Sequence, residues 1–114
     1  MDRAIIWSED FDRQFKKLAR KRRRIFDDLS ELLDKLAAGQ LPGRVAQGVR
    51  GLPVKVARMS DRSSNRGQSS GYRVAYYYDD SQIVLLFITQ RDRLDRRSAS
   101  RIMDTLRNAG FYPK

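Results

Sequence analysis

The sequence predicts a small α+β domain in which an antiparallel-rich sheet carries a helical hairpin on one face. Its 114 residues suffice for one modest core, and we expect residues 1–114 to form a single domain. Apolar residues recur with helical spacing in the first third of the chain and in strand-like blocks in the middle. Together these observations predict the order β-α-α-β-β-β-α, with the helices packed mostly against one face of the sheet.

The first elements are a strand and two amphipathic helices. Ala4–Trp7 is a short, wholly apolar run, which predicts a strand, and Ser8 follows it as a helix cap before two acidic residues. The buried face of the first helix is formed by Phe11, Phe15 and Leu18. The buried face of the second is formed by Phe26, Leu29, Leu33 and Leu36. Gly39 ends this second helix, and we expect the turn of the hairpin near residues 22–25.

Glycine and proline separate the hairpin from the next strands. Residues 39–53 hold four glycines and two prolines, which predicts a loop. Residues 52–59 and Tyr72–Tyr78 then predict two strands. The polar sequence DRSSNRGQSS at 61–70 joins them, and we expect it to be a long, mobile hairpin loop.

A tight turn, a strand and a helix complete the chain. Asp79 and Asp80 suit a polar hairpin turn better than a cation site. Residues 83–88 are apolar at every position, which is typical of a central strand covered on both faces. Residues 98–108 predict the last helix.

Charge is the strongest signal in the composition. Lys and Arg number 24 against 14 Asp and Glu, which gives a net charge of +10 and a sequence pI of about 10.5. This charge favours a polyanionic partner, either nucleic acid or an acidic protein segment. The basic run at 16–24 is either a solvated surface or a surface that contacts phosphates without base specificity. On the second interpretation, Lys17, Lys21 and Arg24 bind RNA. No apolar run approaches the ~20 residues that span a bilayer, so we expect no membrane partner.

The lack of histidine and cysteine removes several kinds of chemistry. Zinc sites of the usual ligands, disulfides and Ser-His or Cys-His pairs are excluded, and no GxxxxGK[ST] or GxGxxG motif is present. We therefore expect neither a metal nor a cofactor. The remaining residue types suit cleavage of RNA through its own 2′-hydroxyl, in which the protein orients the phosphate and stabilises the transition-state charge. Arginine does both, because its planar fork matches phosphate oxygens.

Alternation along the strands indicates which cations can meet. In Tyr72–Tyr78, Arg73 lies on the face opposite the bulkier side chains. Arg58 and Lys55 lie on opposite faces of the preceding strand, so both can point at Arg73 only if a bulge intervenes. Arg91 follows the last strand. The alternative interpretation of Arg73 is a solvated arginine on a half-buried sheet.

These segments, in this order and at this spacing, resemble the RelE/ParE superfamily of bacterial type II toxins, nearer to its RelE-like, mRNA-cleaving branch. The similarity covers most of the chain, including FDRQFKKLARK, DDLSELLDKL, GLPVKVARM, SGYRVAYYY and IVLLFI. The most specific marker is the junction at 67–77. There the family has Gly-Lys and small residues, then Gly-aromatic-Arg, two hydrophobic residues and Tyr.

The resemblance implies a cytoplasmic toxin that degrades mRNA, often on the ribosome, and that a cognate antitoxin neutralises by wrapping its surface. By position, Arg73 matches the arginine that binds the scissile phosphate, and Arg58 matches a basic residue of the preceding strand. The implied catalytic set is Arg73, Arg58, Arg91 and Lys55.

The chain departs from the family pattern at three positions. Gln68 replaces a loop lysine, for which Arg66 is the substitute in RNA binding. Val56 occupies a lysine position, and Lys55 is displaced from it by one residue. Thr89 replaces a tyrosine, while Arg91 keeps the charge that follows. These departures leave two alternatives open: a ParE-like toxin that poisons gyrase, and a degenerate basic module that binds RNA or an acidic protein without chemistry.

Overall fold

Five strands form one mixed sheet. The computed structural model describes residues 3–64, 71–90 and 96–110. The elements are β1 (Ala4–Trp7), α1 (Glu9–Ala19), α2 (Ile25–Ala37), β2 (Arg44–Val45), β3 (Val54–Met59), a 3-10 turn (Arg62–Ser64), β4 (Tyr72–Tyr78), β5 (Gln82–Gln90) and α3 (Arg96–Asn108). The strand order is β1-β5-β4-β3-β2, in which β1 runs parallel to β5 and every other pair is antiparallel. The predicted class and the order of the main elements are confirmed.

The hairpin of α1 and α2 covers one face of the sheet, as predicted. Ser8 caps α1, because its Oγ accepts a hydrogen bond of 3.0 Å from the Phe11 N–H. Trp7 packs edge-on against Phe11 and Phe15, with ring centroids 5.1 and 5.2 Å away. The leucines of α2 close this core against β3, β4 and β5. The predicted apolar stripes therefore face the sheet, except that Phe26 is exposed.

The third helix lies on the opposite face, although the helices were expected to pack mostly against one face. Ile102 and Leu106 of α3 pack with Ala75, Leu86 and Phe87 in a second core. Residues 83–88 of β5 are all buried, because this strand is covered from both sides. A register shift between Ala75 and Tyr76 marks an irregularity in the β4–β5 pairing, where Leu86 is the extra residue of β5.

The stretch predicted to be a loop contains the two-residue strand β2. It pairs with β3 through Arg44↔Val56 and Val45↔Lys55. Gly43 permits this pairing, because its φ is +104° and a Cβ there would lie 2.3 Å from the Val56 carbonyl oxygen. Two residues carry too little periodicity to be recognised as a strand in the sequence.

No helix in the described parts of the chain is both long and apolar enough to cross a membrane.

The β4–β5 turn is organised by one carboxylate, in agreement with its prediction as a polar turn. Asp79 accepts hydrogen bonds from the backbone N–H groups of Ser81 and Gln82, at 2.9 and 3.0 Å, and from the Tyr77 hydroxyl at 3.1 Å. The bond from the Ser81 backbone is the main cause that lowers the pKa of Asp79 to about 2. The ionised carboxylate is therefore the form that holds the turn.

Replacing Asp79 by asparagine should destabilise the protein in a pH-dependent way. A lowered pKa means that the carboxylate stabilises the fold above its usual pKa of 3.8 and loses this effect as the pH falls towards 2. Melting temperatures of the parent and Asp79→Asn should therefore differ more at pH 6 than at pH 2. The control is Asp80→Asn at the exposed neighbouring residue, which should change the melting temperature little at either pH. A gap for Asp79→Asn that is the same at both pH values would contradict this role.

Candidate functional site

Two arginines face each other across neighbouring strands. Arg58 of β3 is paired directly with Arg73 of β4, and Arg73 is paired with Thr89 of β5. The β3–β4 pairs run from Val54↔Tyr77 to Met59↔Tyr72 without a register shift. Directly paired residues share a face and have Cβ atoms about 5 Å apart. The structure therefore brings Arg58 and Arg73 together, and we call them the arginine pair.

The arginine pair is an arrangement of like charges that is suited to bind an anion. Guanidinium groups stay protonated in proteins, and like charges directly opposite each other destabilise a sheet. Arg58 is exposed, and Arg73 is half-buried, with Nη1 donating a 3.1 Å hydrogen bond to the Tyr72 carbonyl oxygen. A phosphate between the two guanidinium groups would attract both of them and offset their mutual repulsion. The geometry thus favours binding of a phosphate or a similar oxyanion.

Two ion pairs fix the chain beyond the arginine pair to the helical hairpin. Arg22 Nη1 donates to Asp61 Oδ2 at 2.7 Å, and Arg62 Nη1 donates to Asp28 Oδ1 at 2.8 Å. The hairpin supplies the arginine of the first pair and the acid of the second, and the segment after β3 supplies the other member of each. Both acids are buried. We call these four residues the inter-layer clasp, because they join the hairpin layer to the segment that follows β3.

Burial shapes the chemistry of the clasp. Loss of solvent raises the pKa of Asp28, and the hydrogen bonds and positive charge of Arg62 oppose that rise. A further hydrogen bond, from the Arg24 N–H to Ser63 Oγ at 3.0 Å, holds the same segment. The predicted mobile loop 61–70 is therefore anchored to the hairpin over Asp61 to Ser63, while residues 65–70 lie outside the described residues.

The start of β4 is fixed by close packing. A Cβ on Gly71 would lie 2.2 Å from the Met59 carbonyl oxygen, so that only glycine lets the two strand ends approach. The Arg22 guanidinium lies 5.6 Å from the ring centroid of Tyr72, which immediately precedes Arg73. Tyr72 is fully buried, and burial raises the pKa of its hydroxyl, with the charge of Asp61 adding to the rise. Tyr72 is thus a packing residue and not a proton donor for a bound ligand.

Lys55 does not join the arginine pair. It is paired with Tyr76, on the face that packs under the hairpin, because β3 has no bulge that would turn it round. Its Nζ donates a 3.0 Å hydrogen bond to the Leu41 carbonyl oxygen and lies 5.5 Å from the ring centroid of Tyr78. Lys55 therefore stabilises the chain before β2 and cannot reach a phosphate held by Arg58 and Arg73.

The other predicted site residues are distributed over the surface. Lys17, Lys21 and Arg24 are exposed on the hairpin, on the other layer of the domain from the arginine pair. The clasp brings the hairpin turn to the end of β3, so this basic surface and the pair lie at the same end of the sheet. Arg66 and Arg91 lie outside the described residues.

A further arginine on the same face could not be recognised from the sequence. Arg44 is exposed, and its partner Val56 lies two residues from Arg58 on β3. Arg44 and Arg58 are therefore diagonal neighbours on one face, about 7 to 8 Å apart. Only the short strand β2 gives Arg44 this position, and nothing in the local sequence marks that strand.

Comparison with known families identifies the domain. A family model described as the ParE toxin of the type II toxin-antitoxin system, parDE, matches residues 5–107. The chain belongs to this family. The resemblance to the RelE/ParE superfamily is thus confirmed, and the protein is a toxin of a type II toxin-antitoxin system, which implies a cognate antitoxin as its partner. A comparison with curated proteins gives no significant match.

Removing Arg22 from the toxin should destabilise it far more than removing Arg24. Arg22→Met leaves the buried Asp61 carboxylate without its 2.7 Å partner, which should cost about 3 kcal/mol in the free energy of unfolding. Arg24→Met breaks only an exposed pair with Asp27 and should cost less than about 1 kcal/mol. Denaturant unfolding of both variants, which lose the same charge, measures the difference. Equal costs would show that the clasp does not anchor the segment.

Proposed function

We propose that this toxin is an mRNA endoribonuclease whose arginine pair binds the scissile phosphate. The observation that carries the proposal is the direct opposition of Arg58 and Arg73, which creates a site for one oxyanion on a rigid sheet. The net charge of +10 and the exposed basic hairpin support a nucleic-acid target. We place the toxin in the cytoplasm, with mRNA on the ribosome as its substrate.

The reaction fits what two arginines can supply. The 2′-hydroxyl of the RNA gives its proton to solvent, its oxygen attacks the neighbouring phosphorus, and the bond from phosphorus to the 5′-oxygen breaks. The leaving 5′-oxygen takes a proton from solvent, which leaves a 2′,3′-cyclic phosphate and a 5′-hydroxyl. The phosphoryl group gains negative charge in the transition state, and two guanidinium forks stabilise that charge more strongly than they stabilise the ground state. Held by Arg58 and Arg73, the phosphate is also oriented for in-line attack. The arginine pair thus binds the phosphate, orients it for attack and stabilises the charge of the transition state.

A gyrase-poisoning toxin is the second candidate. The matching family model is that of ParE, and the described sheet neighbours of the arginine pair on its own face include Val56, Ala75, Thr89 and the diagonal Arg44. None of these side chains transfers protons near neutral pH, and Lys55 lies on the other face. On this alternative the pair binds a phosphate of DNA, or an acidic group of the enzyme, without cleaving it.

Inducing the toxin without an antitoxin separates the two functions. If it is an endoribonuclease, growth should stop and transcripts should be cut before any DNA-damage response begins. A gyrase poison should induce that response while transcripts remain intact. Intact transcripts in growth-arrested cells would contradict the proposal, and healthy growth with folded toxin present would favour the binding-module alternative.

Arg73 variants test the site itself in a cleavage assay on translating ribosomes. Arg73→Ala should lower the cleavage rate by about 100-fold, and Arg73→Lys should recover little of it, because lysine lacks the bidentate fork. The control Arg107→Ala removes the same charge from an exposed position on α3 and should cut like the parent. A folded Arg73→Ala protein that cleaves at the parent rate would exclude this site.

A further inference from the structure

Arg44 is held in place by several contacts, although it lies on a strand of two residues at the edge of the sheet. Gly43 lies so close to β3 that any side chain would strike the Val56 carbonyl oxygen. On the other side of Arg44, the Ala46 N–H donates a 2.8 Å hydrogen bond to the Val54 carbonyl oxygen. The backbone on both sides of Arg44 is therefore tied to β3.

Two side chains from the hairpin face hold the chain just before Gly43. Lys55 Nζ donates to the Leu41 carbonyl oxygen at 3.0 Å, and the buried Tyr76 hydroxyl donates to the Pro42 carbonyl oxygen. Burial is the main cause that raises the pKa of Tyr76, so its hydroxyl keeps the proton for this bond. Lys55 and Tyr76 lie on the sheet face opposite Arg44, and they contact the chain at the sheet edge. These bonds fix the backbone just before Arg44 and do not involve the Arg44 guanidinium.

The position of Arg44 matches the geometry of a second phosphate. Arg44 pairs directly with Val56, two residues from Arg58, and the diagonal spacing of about 7 to 8 Å between Arg44 and Arg58 is comparable to the distance between consecutive phosphates of an extended nucleic-acid strand. A row of side chains thus crosses four adjacent strands: Thr89, Arg73 and Arg58 are directly paired, and Arg44 follows one diagonal step further. A single strand that follows the row would meet a cation at each step after Thr89.

We propose that Arg44 and Arg58 form a second phosphate subsite, which binds the phosphate next to the one held by Arg58 and Arg73. Its ligand is the backbone of single-stranded RNA, and Lys55 and Tyr76 are positioning residues that act through Arg44. The inference rests on the proposed function, since it extends the same nucleic-acid site. The simpler alternative is that Arg44 only protects the sheet edge from pairing with another chain, as charged edge residues do.

Ligands that carry one or two phosphates test the subsite. The probes are a uridine dinucleotide with one phosphate and a uridine trinucleotide with two, both 2′-O-methylated so that they cannot be cleaved. Binding to the folded full-length toxin is measured by NMR titration at several salt concentrations. Arg44→Ala should weaken binding of the trinucleotide about tenfold and leave the dinucleotide unchanged. The salt slope for the trinucleotide should fall by about 0.7.

Controls separate this inference from the proposed function. Arg73→Ala should weaken both probes, whereas Arg107→Ala, with the same loss of charge, should weaken neither. Lys55→Met should weaken the trinucleotide alone, and should have no further effect once Arg44 is alanine. Should Arg44→Ala fold poorly, Arg44→Gln keeps the length of the side chain and carries the same expectation.

The outcomes overturn different statements. A parent toxin that binds neither probe, or an Arg73→Ala variant that binds both as tightly as the parent, would overturn the proposed site at the arginine pair. Normal trinucleotide binding by Arg44→Ala, beside weakened binding by Arg73→Ala, would overturn the second subsite alone and leave Arg44 as an edge-protecting residue. Equal weakening of the binding of both probes by Arg44→Ala would also overturn the second subsite. Arg44 would then act only through general electrostatic attraction, which does not depend on the second phosphate.

Discussion

The opposition of Arg58 and Arg73 is the constraint on which the rest of the site depends. Two permanent positive charges on directly paired residues repel each other, so the strands that carry them need other sources of stability. The inter-layer clasp supplies one source, because Arg22 and Arg62 pair with buried acids immediately beyond the strand ends. The close approach of Gly71 to Met59 supplies another. The toxin therefore uses buried ion pairs and tight packing to hold two like charges opposite each other, where one anion can contact both.

The layered fold explains why the site lies at one end of the sheet. Helices cover both faces of β5, and most of the face that carries Arg73 is closed by the second core around Ala75, Phe87 and Leu106. Arg58 remains exposed and Arg73 half-buried beyond this core. A rigid sheet positions guanidinium groups more accurately than a loop does, since each side chain starts from a fixed strand register.

The sequence alone predicted most of the fold and two arginines of the candidate site. Tyr72–Tyr78 and Ala4–Trp7 were recognised at their full length, because the second is wholly apolar and the first is an aromatic and apolar block broken only by Arg73. Strand alternation separated Lys55 from Arg58, but only the regular β3–β4 register shows that Arg58 is the one that meets Arg73. The position of α3 and the strand β2 could not be predicted, because both depend on contacts between segments distant in the chain. Arg44 was missed for that reason.

A double-mutant cycle on Arg58 and Arg73 tests the central claim most directly. The free energies of unfolding of the parent, Arg58→Ala, Arg73→Ala and the double variant are measured at low ionic strength in chloride and again in inorganic phosphate at the same ionic strength. In chloride the coupling should be unfavourable, by about 0.5 kcal/mol or more, because each arginine repels the other. In phosphate it should become favourable, because one anion binds both forks. Additive effects in both buffers would contradict the claim that the two arginines form one anion site.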